Sequence, residues 1–327
     1  MKRILRGVLL LLAVFLLTFI VFYFWASSPT QSEDTYAKVY TNNYDSNITN
    51  DSVYSIVTYN IGYLSGMTNN LPIEKPKSLF DDNMAIVLKE FKKSNPDIIV
   101  FQEIDYEATR SFDVNQQDEI AKLGYNYVAE AINWDEHYVP FPYWPISMNF
   151  GKVISGQSIL SKYPLSNHER IVLKRAENNP FYKDAFYIER LAQVATINLD
   201  GQDIKIINVH LEAFDKPTRD EHTDYVLNLF DQYSKEFPTI LLGDFNSDPD
   251  YENAAIDKIL NRTDIGNAAF SNDNYENTYD TANPYERIDF IFYTPETIEY
   301  IDGRVMQEFG QASDHLPVEM RFRLKYK

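Results

Sequence analysis

From Gly7 to Trp25 the chain reads GVLLLLAVFLLTFIVFYFW without a charge, and this run limits its architecture more than any other feature. A helix of about 20 apolar residues spans the hydrocarbon of a bilayer. Lys2, Arg3 and Arg6 precede the run and Glu33 and Asp34 follow it. Basic flanks stay in the cytoplasm, so the rest of the chain is expected outside. The competing account is a cleaved signal peptide, whose apolar region is usually shorter, about 7–15 residues, and ends in small residues. Here Phe22 to Trp25 is bulky, and only Ala26, Ser27 and Ser28 are small. Residues 1–25 are therefore read as a single-pass anchor in the cell membrane, with the catalytic part on the extracytoplasmic side. The chain has no cysteine, which excludes a lipoprotein anchor, a disulfide framework, a Cys-ligated zinc and a thiolate nucleophile.

Residues 26–50 have few aliphatic side chains and no amphipathic period, and read as a polar linker holding the next domain off the membrane. Three sequon patterns, Asn47-Ile48-Thr49, Asn50-Asp51-Ser52 and Asn261-Arg262-Thr263, carry no weight in so Asn-rich a chain. Residues 51–327 read as one domain, near the upper length for a single core. A composition of 44% hydrophobic and 24% charged residues excludes a disordered tail, a collagen-like fibre and a multi-span membrane protein. The net charge is −18, and because Lys2, Arg3 and Arg6 lie before the apolar run, the body is more acidic still. Such a body does not adsorb to phosphate polymers by bulk charge. An anionic substrate then needs a local site, most simply one built on a divalent cation.

Within the domain, β-branched and aromatic runs mark strands at 53–59, 97–101, 158–161, 191–199, 204–209, 239–242, 288–293 and 318–324. Helical periodicity marks 79–93, ended by Asn95-Pro96, and 220–237. Strands separated sometimes by helices and sometimes by turns imply mixed sheets, and a two-sheet sandwich with helices outside uses this length.

Polar residues gather where these strands end or begin: Thr58-Tyr59-Asn60-Ile61-Gly62, Phe101-Gln102-Glu103-Ile104-Asp105, His210-Leu211-Glu212, Gly243-Asp244-Phe245-Asn246, Arg287-Ile288-Asp289 and Ser313-Asp314-His315. Each alone has an ordinary structural reading. An Asn after a strand is a turn residue, a single Glu is solvated, Gly-Asp-Phe-Asn is an Asx turn, and a lone His satisfies the core. Together they supply the carboxylates, amides and two histidines that a metal-assisted phosphate hydrolase needs.

The ordered set TYNIG, FQEID, GQSILSKYPL, NVHLEAF, GDFNSDP, RIDFIF and SDHLPV resembles the endonuclease/exonuclease/phosphatase superfamily with its DNase I-like fold, over roughly residues 52–325. The resemblance implies an α/β four-layer sandwich of two mixed sheets flanked by helices, with the site at one end. It implies a metal-dependent phosphoester hydrolase of the phosphodiesterase or nuclease type. Glu103 then corresponds to the principal metal ligand, with Asn60 beside it and Asp314 as a second candidate. Asp244 corresponds to the residue that aligns the attacking water, Asn246 to the amide that holds a phosphate oxygen, and His210 to a donor toward phosphoryl or leaving-group oxygen. Asp289 orients His315, since a histidine needs an acceptor to fix its tautomer. Either Asp244 or His315 serves as general base. Hard oxygen ligands suit Mg²⁺, with Mn²⁺ as the alternative.

The superfamily also contains sphingomyelinases and inositol-phosphate phosphatases, so the substrate is open among nucleic acid, phospholipid and phosphorylated small molecules. A catalytically inactive surface-binding module is the alternative outside enzymes. The tract 134–150, WDEHYVPFPYWPISMNF, is read first as a Pro-rich loop packed on its own aromatics, with His137 structural or solvent-facing. Its other reading is a lip that stacks bases or touches lipid.

Overall fold

The structure, a computed structural model, describes residues 1–48, 52–271 and 274–325. The expected start of the domain at 51, Asn50 and Asp51 of one sequon and Thr49 of its neighbour lie outside the described residues. In chain order the elements are α1 (Lys2–Ala26), β1 (Ala37–Thr41), β2 (Tyr54–Asn60), α2 (Lys77–Ser94), β3 (Ile98–Ala108), α3 (Gln116–Ala121) and β4 (Tyr127–Val139). There follow β5 (Gly151–Ser161), β6 (Leu165–Val172), α4 (Phe181–Asp184), β7 (Leu191–Leu199), β8 (Gln202–His210), α5 (Lys216–Tyr233) and β9 (Thr239–Asp244). The chain closes with α6 (Asp257–Leu260), β10 (Gly266–Asn267), β11 (Phe270–Ser271), β12 (Asn274–Tyr275), β13 (Asp289–Tyr293), β14 (Ile298–Val305) and β15 (Val318–Leu324).

Two mixed sheets form the expected sandwich. One runs β1-β4-β5-β3-β2-β15-β14 and the other β10-β13-β9-β8-β7-β6. Their inner faces meet in an apolar core to which both contribute, including Ile56, Val100, Ile159, Ala195, Ile206 and Leu242. On the outer face of the first sheet, Val87 and Phe91 of α2 pack on Tyr59 and Phe101. On the outer face of the second, Val226 and Phe230 of α5 pack with Val209 and Leu241. Covering both faces of each sheet is why the strands read as continuous apolar runs rather than as alternating ones. Asn95 caps α2 in the left-handed conformation. The second helix starts earlier than expected because Asp215 accepts from the Thr218 N–H ahead of Pro217, a favourable N-cap with proline in the first turn.

The stretch read as a polar linker holding the domain off the membrane differs from expectation. β1 pairs antiparallel with β4 and extends the first sheet. Asp135 on β4 accepts from the Thr30 and Gln31 backbone N–H groups at 2.9 and 2.8 Å, and from the Tyr36 hydroxyl at 2.9 Å. Ser28 meets His137 Nδ1 at 3.2 Å through its hydroxyl. The reason the sequence hides this is local: Ala37–Thr41 is a short edge strand with only half-buried side chains, so no apolar period marks it, and its pairing partner lies some 90 residues away. The chain from α1 to the sheet is therefore docked along most of its course.

Candidate active site

Strand direction explains why residues from six separated segments converge. β2 runs parallel to β3 and β8 parallel to β9, so both pairs end at the same edge of their sheets. β13 is antiparallel to β9, and β15 to β2, so those two begin where the others end. Register completes the alignment. Asp244 lies opposite both His210 and Asp289 on its two neighbouring strands.

Glu103 reaches the cleft through a departure from regular pairing. The strand expected to stop at Phe101 continues to Ala108, but its register against β5 shifts between Phe101 and Ile104, and Glu103 sits in the shift with φ of +51°. A bulge turns one side chain away from the alternation of its strand. A left-handed backbone at a non-glycine residue is strain that the surrounding structure must hold. Asn246, just beyond β9, has φ of +49°.

Below the site the two sheets are joined by buried amides. Gln102 donates to Asn208 Oδ1 at 2.7 Å, and Asn208 Nδ2 donates to the Phe101 carbonyl at 3.0 Å and to Gln193 at 2.9 Å. These satisfied bonds sit between the strands that carry Glu103 and His210, and set those strands relative to one another. Sequence reading passed over Asn208 and Gln193 because nothing in their neighbourhood distinguishes a buried amide from a surface one.

All eight residues singled out from sequence lie at this edge. His315 donates through its Nδ1–H to Asp289 Oδ2 at 2.9 Å. Asp289 is buried and its other oxygen has no partner among the described residues. The remaining His315 nitrogen lies 4.0 Å from Asp244 Oδ2. Asp244, Asp289 and His315 hold donor atoms within 4.8 Å of one another. Asn60 Nδ2 donates to Asp244 at 2.9 Å and points to Glu103 at 3.3 Å, while its oxygen accepts from Gly62 N–H. Its amide thus bridges the two carboxylates. Asn246 directs its amide nitrogen to the Leu211 carbonyl at 3.0 Å, and its backbone N–H to Asp244 at 2.9 Å. Asp314 lies across from Glu103, both near Asn69 Nδ2, at 3.2 and 3.4 Å.

The charges are not arranged alike. Burial disfavours the charged form of His315, but Asp289, Asp244 and Asp314 outweigh it and hold the imidazolium well above the ordinary histidine range. Burial and the neighbouring Arg190 guanidinium drive His210 the other way, so it is neutral. Arg190 Nη1 lies 2.5 Å from His210 Nε2, and that nitrogen is 3.5 Å from Asp244. Burial raises the Asp244 carboxyl to about 7 despite the opposing charge of His315. Burial, with Glu103 adding to it, raises Asp314 to about 6.

Glu103 and Asp314 form no direct ion pair with lysine or arginine among the described residues, and His210, 3.7 Å from Glu103, is neutral. Arg190 and Arg110 act on Glu103 only from a distance, and the His315 imidazolium offsets part of the charge on Asp314. Two close carboxylates without a directly paired lysine or arginine fit a hard divalent cation. Asn69, Arg190 and Tyr279 complete the surroundings, the last with its ring 5.0 Å from that of His315. Sequence reading missed these three because they come from loops and a strand end outside the recurrent motifs. Arg287 of the RIDF motif is fully buried, donating to the Asp289 carbonyl and to Glu276, and so holds the segment rather than facing the cleft.

The cleft above these groups has a volume of about 700 Å³. Its walls include Tyr143, Phe150, Tyr187 and Phe214. The tract 134–150 is partly strand, since β4 runs to Val139, and partly a loop whose Phe141 and Phe150 rings pack at 5.3 Å. Arg110 anchors this wall, stacked 3.3 Å over Tyr63 and 4.8 Å from Phe150, with its guanidinium on Asp105. His137 is structural, packed on Trp25 and hydrogen-bonded to Ser28.

Residues 57–315 match the model of the Endonuclease/Exonuclease/phosphatase family. No curated protein matches the chain. Among solved structures, the endonuclease/exonuclease/phosphatase from Beutenbergia cavernae is 20% identical with a TM-score of 0.59, over 83% of this chain and 72% of that one. The human Nocturnin catalytic domain with bound sulfate is 17% identical with a TM-score of 0.58, over 90% and 100%. The D. rerio TDP2 humanized by 14 mutations is 16% identical with a TM-score of 0.57, over 84% and 100%. At these identities the likeness is one of fold.

Proposed function

Since the chain belongs to the endonuclease/exonuclease/phosphatase family, whose members are generally phosphoester hydrolases, we propose that it is a divalent-metal-dependent phosphodiesterase held at a membrane by α1. The observation that carries this reading is the convergence of the Asp289–His315 pair, Asp244 and the Glu103 and Asp314 carboxylates, which have no direct lysine or arginine partner among the described residues, at one end of the sandwich. Retention of the whole set weighs against an inert binding module.

Glu103 and Asp314 would hold the cation, Mg²⁺ or Mn²⁺, which when bound neutralises phosphate charge and polarises the phosphoryl oxygen. Asp244, with its carboxyl near neutrality, is suited to take the proton of the attacking water. Asp289 fixes the His315 ring through Nδ1, so that its other N–H faces the cleft as a charged donor to a phosphoryl oxygen. Burial, with Arg190 adding to it, keeps His210 neutral, and Asn60 and Asn246 hold Asp244 in place through their hydrogen bonds.

α1 is long and apolar enough to cross a membrane, and its apolar residues are exposed. Its last turn is also packed on the domain: Tyr23 meets Phe181 and Phe186, Phe22 meets Tyr138, and Ala26 is fully buried. A segment destined for removal has no need of such contacts, which supports a retained span; the extracytoplasmic placement of the domain rests on Lys2, Arg3 and Arg6 before the apolar run. The test is hydrolysis of a soluble diester by the full-length protein in lipid nanodiscs, with and without chelator, alongside its intact mass. Metal-dependent turnover lost in Glu103→Ala supports the reading. Turnover unaffected by chelator or by that substitution sinks the enzymatic part, and a mature protein lacking residues 1–26 sinks the anchor.

A further inference from the structure

Apolar side chains that stay in water are informative when they are large and gathered in one place. Beyond residue 26, seven large hydrophobic residues among those described are more than half exposed. They are Tyr143, Trp144 and Ile146 in the loop after β4, Phe181 and Tyr182 in α4, Phe214 before α5, and Tyr285. Tyr143, Tyr182 and Phe214 line the mouth of the catalytic cleft, and Tyr285 packs on Tyr279, which also lines it. The exposed aromatics thus ring the opening.

This ring is continuous with the membrane helix. Tyr23 of α1 lies against Phe181 with ring centres 6.0 Å apart, and its hydroxyl donates to the Phe181 carbonyl at 3.1 Å. Phe22 lies 5.7 Å from Tyr138, directly before the loop that carries Trp144 and Ile146. At 1.5 Å of rise per residue, Tyr23 sits only about 5 Å short of the helix end. Phe181 is therefore held at the level of the last helical turn, the depth at which Trp and Tyr gather in membrane proteins. Asp135 and β1 dock the intervening chain, so the ring does not swing freely about α1.

The chemistry of the rim selects its partner. Residues 140–149, PFPYWPISMN, carry no charge in a chain of net −18. The segment α4 contributes one lysine, Lys183, which lies 5.6 Å over the Phe214 ring, and one carboxylate, Asp184, paired with Arg175. A phosphate polymer needs clustered cations, whereas uncharged aromatic loops suit the headgroup boundary of a bilayer.

We propose that this aromatic rim seats the mouth of the catalytic cleft on the surface of the same lipid bilayer that α1 spans, so that the cleft opens onto the headgroup layer. The inference rests on the reading of α1 as a retained span and deepens the proposed activity, because phosphoesters of that layer are then the substrates nearest the site. The chain has no cysteine, so single cysteines can be labelled without background. Full-length protein carrying Trp144→Cys, Ile146→Cys or Phe181→Cys, each bearing an environment-sensitive fluorophore, is placed in phosphatidylcholine nanodiscs containing a headgroup-proximal quencher lipid. Lys235→Cys, exposed beyond the far end of α5 from the cleft, is the tethered control. Quenching at 144, 146 and 181 should exceed that at 235 by about threefold or more, the contrast expected when apolar side chains enter the interface. Equal quenching at all four positions overturns the proposal. A response at the rim to added oligonucleotide without lipid-dependent quenching also overturns it, and reassigns the surface to nucleic acid. The measurement needs no turnover, so rim quenching in a protein that hydrolyses nothing would refute the enzymatic reading while leaving the seating intact.

Discussion

The floor of the cleft and its rim are built in opposite ways. On the floor, strand pairing fixes each group: Asp244 sits between His210 and Asp289 in register, and a ladder of buried amides ties the sheets beneath. Every polar atom there carries a large cost if misplaced, since the surroundings offer little water to compensate. On the rim, the side chains that stand out most, Trp144, Phe181 and Phe214, are mostly exposed and contribute little to folding. The contrast teaches that the floor trades stability for preorganised charge, while the rim leaves apolar area in water, which costs nothing once another surface covers it.

The widest separation between the two regions should appear in turnover. Glu103→Ala, Asp244→Ala and His315→Ala each should lower kcat/KM by about 10³-fold or more, the scale seen when charge-stabilising or proton-transferring groups are removed. Steady-state assays on a soluble diester check this, and near-normal rates in all three would dissolve the distinction. Chelation should abolish turnover and added Mg²⁺ or Mn²⁺ restore it. Asp289→Asn keeps the shape of its site but removes the charge facing His315. It should reduce kcat by about 10²-fold or more, with the basic limb of the pH–rate profile moving to lower pH as the imidazolium loses support.

Stability should respond next. Asn208→Leu strands the Gln102 and Gln193 amides and should cost about 2–3 kcal/mol in chemical denaturation. Without metal, Asp244 keeps its proton to about 7 in the folded state, against 3.8 ordinarily. The folded state therefore binds more protons between those values, and stability falls as pH rises through that window. His315, held charged beyond its ordinary 6.5, contributes stability that is complete below 6.5 and lost as pH climbs through its raised value. Both act in one direction, while His210, His168 and His222, held below the ordinary histidine value, act the other way only below 6.5; the metal-free protein should therefore melt higher at pH 6.5 than at pH 8.5. Asp244→Asn removes the first contribution and should raise Tm at pH 8 by about 2–4 °C, even as it abolishes turnover. The smallest effect belongs to the rim: Trp144→Ser should change unfolding free energy by less than about 0.5 kcal/mol. A larger loss would mean that the loop is part of the core, and the contrast between floor and rim would fail.

The site was legible to an unusual extent because its residues are attached to strong local signals. Asn60, Glu103, His210 and Asp244 each follow an apolar β-branched run, so a strand end is visible in the sequence and its polar terminus stands out. Asp289 and His315 open strands in the same way. Asn69, Arg190 and Tyr279 have no such frame, and they became visible only when the loops closed over the cleft. β4 was overlooked for a related reason: its residues 127–139 mix buried Ala and Ile with Glu130, Asn133 and Asp135, polar groups that only their distant partners make compatible with a sheet interior. β1 was overlooked because an edge strand buries too little to leave a pattern.

The sequence by itself determined the apolar helix and the two-sheet class, which follow from composition and period within a few neighbouring residues, and it offered the groups that meet at one edge through the ordered motifs and the family they resemble. Only the tertiary structure decided that Glu103 turns on a bulge, that burial and Arg190 hold His210 neutral while Asp289 holds His315 charged, and that the exposed aromatics circle the cleft beside α1. Those outcomes depend on distances between segments far apart in the chain and on the burial those segments create, and electrostatic and packing energies follow from both.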